Sequence, residues 1–213
     1  MATTAPLPTT GSHAGQSAEA AHPPAGPPGP LQFEIAPRVG LILAAVAVVL
    51  VGAAIAADKL WPLVFLHVAG GAAWTIIDLF LGLVLGPIMG SMSIPARVEF
   101  TTRLMPKMVI IMPVVVTITL AAGWQLAAHM GTISSAYPQH GWLVASFVVV
   151  GVMAVLALGL LEPANIAVLF ELKKPRPKPA VIERLMKRFM YCAGVLGVLQ
   201  IATLVIMTKL AAS

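Results

Sequence analysis

Five long apolar runs constrain this chain more than any other feature: about residues 39–57, 63–89, 108–128, 142–161 and 189–207. Crossing about 30 Å of hydrocarbon takes ~20 residues of α-helix, and each run comes to about that length or more. Barrel strands would be half as long and would alternate in polarity, which these runs do not. In lipid a helix also satisfies its own backbone N–H and C=O groups. The sequence therefore predicts an all-α polytopic membrane protein, a bundle of five transmembrane helices.

Composition agrees and removes other classes. Charged residues are 10% of the chain and hydrophobic residues 59%, with a mean hydropathy of +0.93. Soluble domains carry about 25% charged residues, which excludes a soluble globular enzyme. Disorder along the whole chain is excluded by the same apolar content. The single cysteine, Cys192, removes an intrachain disulfide, a CxxC redox pair and a cysteine-cage metal site. No Walker loop, GxSxG elbow or HExxH motif is present. Nor do basic residues interleave with aromatics as a nucleic-acid partner would require.

Residues 1–37 stand apart. They hold eight of the 18 prolines, no Lys or Arg, and mostly Ala, Thr, Gly and Ser otherwise. So little apolar surface cannot offset ordering entropy, and the segment reads as a disordered tail. It lacks the basic and apolar regions of a secretory signal. His13 and His22 within it read as solvated residues.

The basic residues give an orientation. Arg38, Arg97, Arg103, Lys107 and the seven between Lys173 and Arg188 fall on one side of a five-span threading, against Lys59 and Lys209 on the other. The positive-inside rule places the N-terminal tail in the cytoplasm and the C-terminus outside, in a bacterial-type plasma membrane. Residues 173–188 then form a basic cytoplasmic linker suited to anionic headgroups. Trp61, Trp124 and Trp142 fall at the outer interface. Apolar character continues past Glu162-Pro163 to Leu172, so the fourth span either kinks at Pro163 or emerges as an amphipathic extension.

Ionisable groups inside a span are functional candidates. In the second span, His67, Gly70, Gly71, Trp74 and Asp78 share one helical face. A neutral imidazole can ligate a metal or haem iron. The two glycines leave room for a flat ring or, equally, for a neighbouring backbone. Trp74 suits an aromatic wall. His129, with Gln125 one turn before it, falls in the same outer layer and is the candidate second ligand. His140 reads as an ordinary loop residue.

The stretch His67-Val-Ala-Gly-Gly-Ala-Ala-Trp74, opening a helix rich in small residues, resembles the first-helix signature of the CopD-like and HemJ-like bacterial membrane proteins. The resemblance covers roughly residues 60–160. It implies a small helical bundle in which His67 ligates haem or a metal and Trp74 lines the pocket. HemJ-like members are haem-binding protoporphyrinogen oxidases, and CopD-like members are linked to copper uptake or resistance.

A second polar layer lies deeper. Asp78 and Gln200 fall near mid-membrane, with Glu162 and Asn165 towards the inner end. Asp78 either handles protons beside a quinol or locks helices through Gln200 or Thr117. Glu162 is expected to pair with Arg103 or Lys107. Met105, Met108 and Met112 follow helical spacing, and Met89, Met92, Met186 and Met190 fall near the same surface. Thioethers suit copper(I) but also fill apolar gaps.

The resulting expectation is a haem b-binding membrane protein. It would act in electron transfer or oxidise a small hydrophobic redox substrate of the quinone or porphyrin-like class. Alternatives are a copper-handling protein using His67 and His129, and a non-catalytic helical subunit of a respiratory or transport complex.

Overall fold

The computed structural model describes residues 33–212. Five helices are long and apolar enough to cross a membrane: α1 Arg38–Ala57, α2 Leu60–Ser91, α3 Ile94–His129, α4 His140–Leu172 and α5 Pro179–Ala211. Among the described residues there is no strand. The all-α bundle is therefore as expected. Of the tail, only residues 33–37 are described; residues 1–32, with His13 and His22, lie outside the described residues.

The helices overrun the predicted spans. At 1.5 Å per residue α3 is about 54 Å long, well beyond the hydrocarbon thickness. Its first four turns carry Arg97, Arg103 and Lys107, which hydropathy leaves between spans. Ser93 precedes it in extended conformation and proline occupies the first turn, where a missing N–H costs nothing. The basic linker is likewise shorter than expected. It runs over residues 173–178, because Pro179 starts α5 and Arg184, Lys187 and Arg188 ride on that helix. Glu171 fixes the linker by accepting from the Lys178 backbone N–H at 3.0 Å and by pairing with Lys174.

Proline shapes two helices at matching places. Pro163 does not end α4. The seven residues Val155–Leu161 widen into π-helix, and the Glu162 N–H reaches back five residues to the Ala157 carbonyl. In α2 the same device occupies Phe80–Leu85, where the Gly86 N–H bonds the Leu81 carbonyl, immediately before Pro87. A proline ring clashes with the carbonyl four residues earlier and offers no donor. A wide turn ahead of it relieves the clash and keeps the remaining groups bonded, as lipid requires.

Connections at the opposite end are tight. Asp58, in the left-handed conformation at φ 46°, joins α1 to α2. Gly131, at φ 67°, ends α3 in a Schellman turn: its N–H bonds Ala128 at 3.1 Å and the Thr132 N–H bonds Ala127 at 3.1 Å. Trp61, Trp124 and Trp142 gather at this end and are all exposed, as interfacial indoles should be.

The core is narrow. Trp74, Val116, Met153, Ala157 and Leu196 form one buried cluster, while most outward apolar side chains of α1 and α5 are exposed. Lipid is the complementary solvent for that surface, and polytopic membrane embedding follows from it.

α2 and α3 approach closely at Gly70, where an added Cβ would stand 2.6 Å from Thr119 Oγ1 and 3.4 Å from its backbone nitrogen. Gly70→Ala should lower the thermal midpoint in detergent, by an amount corresponding to about 1–3 kcal/mol of overpacking. Gly52→Ala, where nothing lies within 4 Å, should leave the midpoint unchanged. Equal midpoints for the two variants would refute the close α2–α3 packing.

Candidate functional site: a methionine-lined cavity and a separate histidine

The predicted histidine-bearing face is real, but its residues serve three different places. Nearest the tryptophan-rich end, the His67 imidazole lies across α3. Its Nδ1–H donates to the Thr119 carbonyl at 3.0 Å. Gly123 makes room for it, since a Cβ there would stand 2.5 Å from Nδ1. The accepting carbonyl fixes the tautomer, so in the neutral ring Nε2 keeps its lone pair. Gly70 and Gly71 admit the α3 backbone and Thr119, not a flat ring. They join helices within this chain and so say nothing of a further subunit.

His129 is not brought to His67. Six residues of α3 separate it from Gly123, about 9 Å of rise. Its Nδ1 lies 3.0 Å from Asp58 Oδ1, and Gln125 Nε2 donates to the same oxygen at 3.1 Å. Gln125 and His129 do share a face, as their spacing indicated, and together they hold the α1–α2 link. Hydrogen bonds from Gln125 first and His129 second keep the Asp58 carboxyl below its ordinary value of 3.8. Among the described residues, no three His, Cys, Asp or Glu side chains converge as a metal site.

Trp74 sits one turn further in, 2% exposed, packed in the core cluster instead of lining a pocket. Beyond it the third place begins. The Thr75 hydroxyl donates to Gln200 Oε1 at 2.8 Å, and Gln200 Nε2 donates to Asp78 Oδ2 at 3.1 Å. The helix lock through Gln200 is therefore the one formed, and Thr117 takes no part in it. Gln200, 1% exposed, has both ends of its amide satisfied, as a buried polar group must.

Asp78 also lines a cavity of about 540 Å³ between α2, α3, α4 and α5. Val116, Ala157 and Leu196, which pack on Trp74, close one end of it. Both π-helical turns contribute walls, through Leu81, Gly82, Leu85, Leu158 and Leu161. Wider turns turn side chains away from their α-helical positions and so open space along the wall. Six methionines line it: Met89, Met105, Met108, Met112, Met186 and Met190. Six of the seven methionines marked by spacing and position thus line one cavity, and Met92 does not; a single chain's spacing could not reveal that convergence.

Glu162 and Asn165 lie on the α4 wall, about 8–12 Å along the helix from Ala157. Glu162 does not pair with Arg103 or Lys107. Arg103 instead meets Glu99 at 2.6 Å, one turn back on its own exposed face. Glu162 Oε1 and Asn165 Oδ1 are buried without a hydrogen-bond partner. Arg97, Glu183 and Lys187 stand at the basic end of the cavity.

No family model, curated protein or solved structure matches the chain. The likeness to CopD-like and HemJ-like proteins accordingly rests on residues 67–74 and their setting.

Two predictions follow from these contacts. Gln200→Leu should destabilise the bundle by about 1–3 kcal/mol, because Asp78 and Thr75 both lose their partner inside lipid. Asp78→Asn should be milder, since an amide oxygen still accepts from Gln200; the reverse order in thermal melts would refute the lock. For Asp58, a depressed folded value means the carboxylate contributes stability above its unfolded value, and the contribution is lost as pH falls through the folded one. Asp58→Asn keeps an acceptor and tolerates the left-handed backbone. Its melting deficit against the parent at pH 7 should shrink as pH falls below the carboxyl's ordinary value of 3.8; a deficit independent of pH would remove the charge from the latch.

Proposed function

We propose that this chain is a multi-pass protein of a bacterial plasma membrane that binds a small hydrophobic molecule with a polar head. The ligand occupies the cavity between α2, α3, α4 and α5. The observation that carries this is the cavity itself: about 540 Å³, mostly apolar, with Asp78, Glu162 and Asn165 along its walls and Arg97, Glu183 and Lys187 at one end. Binding sites for small hydrophobic molecules have this construction, apolar walls with a few placed polar atoms. Quinones and porphyrin-like molecules belong to the size and polarity class concerned. Unbranched, polarizable methionine side chains suit a hydrophobic body of variable shape. The distribution of Lys and Arg supports an orientation with the mouth, beside Arg97 and Lys187, on the cytoplasmic side.

A second reading has its own observation. His67 is anchored through Nδ1–H to a carbonyl, the arrangement that orients an imidazole for ligation through Nε2. It fits a single axial ligand to haem b, which would supply one-electron chemistry at the tryptophan-rich end. His129, engaged by Asp58, would not be the second ligand. A copper site shared by the two histidines lacks this support.

The two readings separate experimentally. In lipid nanodiscs, a diazirine-bearing alkyl probe should label Met108, Met112 and Leu161, and Ala157→Phe should reduce that labelling at least tenfold. Labels confined to the exposed faces of α1 and α5 would overturn the cavity reading. Protein purified in mild detergent should show a Soret band that His67→Ala abolishes and His129→Ala leaves intact. Absence of the band, or its loss in both variants, would overturn the haem reading.

A further inference from the structure

We infer that the cavity takes a cationic, hydrogen-bond-donating head: its ligand is a lipophilic amine or ammonium compound. This rests on the cavity being a binding site and goes on to name the chemistry that it selects.

Away from the basic end, where Arg97, Lys187 and Tyr191 also line the cavity, the wall presents acceptors: the Asp78 carboxylate, Glu162 Oε1 and Asn165 Oδ1. Asp78 accepts from Gln200 Nε2 through Oδ2 at 3.1 Å. The Thr75–Gln200–Asp78 chain has a direction, with each donor pointing towards the carboxylate. Asp78 is therefore its terminal acceptor. On the facing wall Glu162 Oε1 and Asn165 Oδ1 are buried and unpartnered. Asn165 is only 6% exposed. Glu162 and Asn165 are three residues apart on one helix, so their side chains lie on the same face. An unpaired buried acceptor costs about 1–3 kcal/mol, and a donor supplied by a ligand removes that cost at both positions.

The charges point the same way. Among the described residues, no Lys, Arg or His lies within ion-pair distance of Asp78 or Glu162. The cations on the lining, Arg97 and Lys187, stand at its basic end, where Arg97 Nε is buried without a hydrogen-bond partner. Arg97 donates to the Gly90 and Met92 carbonyls at 3.1 and 3.2 Å, at the C-terminal end of α2, where the helix dipole favours a cation. Lys187 pairs with Glu183 at 2.8 Å. Inside the cavity, Asp78 and Glu162 face methionine sulfurs and aliphatic carbons. In such surroundings a carboxylate favours a cation strongly. At Asp78, Glu162 and Asn165 a quinone carbonyl would set acceptor against acceptor.

The test compares probes that differ only in the head. Dodecylamine, dodecanol and dodecanoate are set at equal mole fraction in zwitterionic nanodiscs at pH 7. Each competes with the diazirine alkyl probe for the cavity methionines. Dodecylamine should halve the labelling at a mole fraction at least tenfold below the other two. That advantage should fall below threefold in the double variant Glu162→Gln/Asn165→Leu, or in Asp78→Asn, with dodecanol competing as before. Equal competition by the three heads, or a better dodecanol or dodecanoate, overturns the inference and leaves the cavity reading standing. An advantage that survives in both variants also overturns it. Labelling that never reaches the cavity fails both. Should a variant not fold, the comparison of heads on the parent protein still decides.

Discussion

One buried amide holds the functional half of this bundle together. Gln200 lies on α5 with its side chain inside lipid-protected packing, where neither the oxygen nor the nitrogen can turn to water. Both must find partners on a neighbouring helix, and both find them on α2, at Thr75 and Asp78. Packing between apolar helices in lipid is weakly directional, because lipid tails are as apolar as leucine. A polar contact satisfied at both ends sets the rotation of α2 against α5. That rotation in turn points Asp78 at the cavity and Trp74 at the core. The same contact thus serves stability and places the acidic group.

The cavity depends on a second constraint, the way proline is tolerated in a membrane helix. Pro87 and Pro163 each follow a wide π-helical turn, and both turns face the same space. A regular α-helix through either proline would leave a carbonyl in conflict with the ring. The wide turn resolves that conflict and displaces the wall outward by one extra residue. Methionine then fills the irregular boundary, since its unbranched chain conforms where leucine would leave gaps. Backbone chemistry and side-chain choice are consistent with one another here, as expected of a site maintained by the fold.

The fold was legible in the sequence because a membrane helix is written in hydropathy alone: length and absence of charge are enough. The ends were less legible. Pro95 and Pro179 start helices that carry basic residues beyond the lipid, and hydropathy stops where charge begins. Within the spans, the spacing from His67 to Asp78 correctly gave a shared face. A face is only a direction, however, and which neighbour meets each level of it depends on helix order. Thr119 and Gly123 meet the top of that face, the core cluster its middle and Gln200 its lower part. The Asp78–Gln200 contact was foreseeable because two polar groups at one depth in lipid have few other choices. The π-helical turns had a signal in Pro87 and Pro163, but a proline alone does not tell a kink from a wide turn. The six methionines lie on three helices, and only packing brings them to one space.

The separation of His67 from Asp78 bears on what the protein can do. Eleven residues of α2, about 16 Å, lie between them, and Trp74 with its packed neighbours fills the interval. A group held at His67 therefore could not also touch Asp78, and a ligand in the cavity could not reach the imidazole. The face that is continuous along the sequence meets two different surroundings, one at each end of a packed core. Their chemistry differs accordingly. The imidazole offers a single oriented lone pair beside a helix backbone, suited to a metal centre. The cavity offers volume, sulfur and unpaired acceptor oxygens, suited to an organic head.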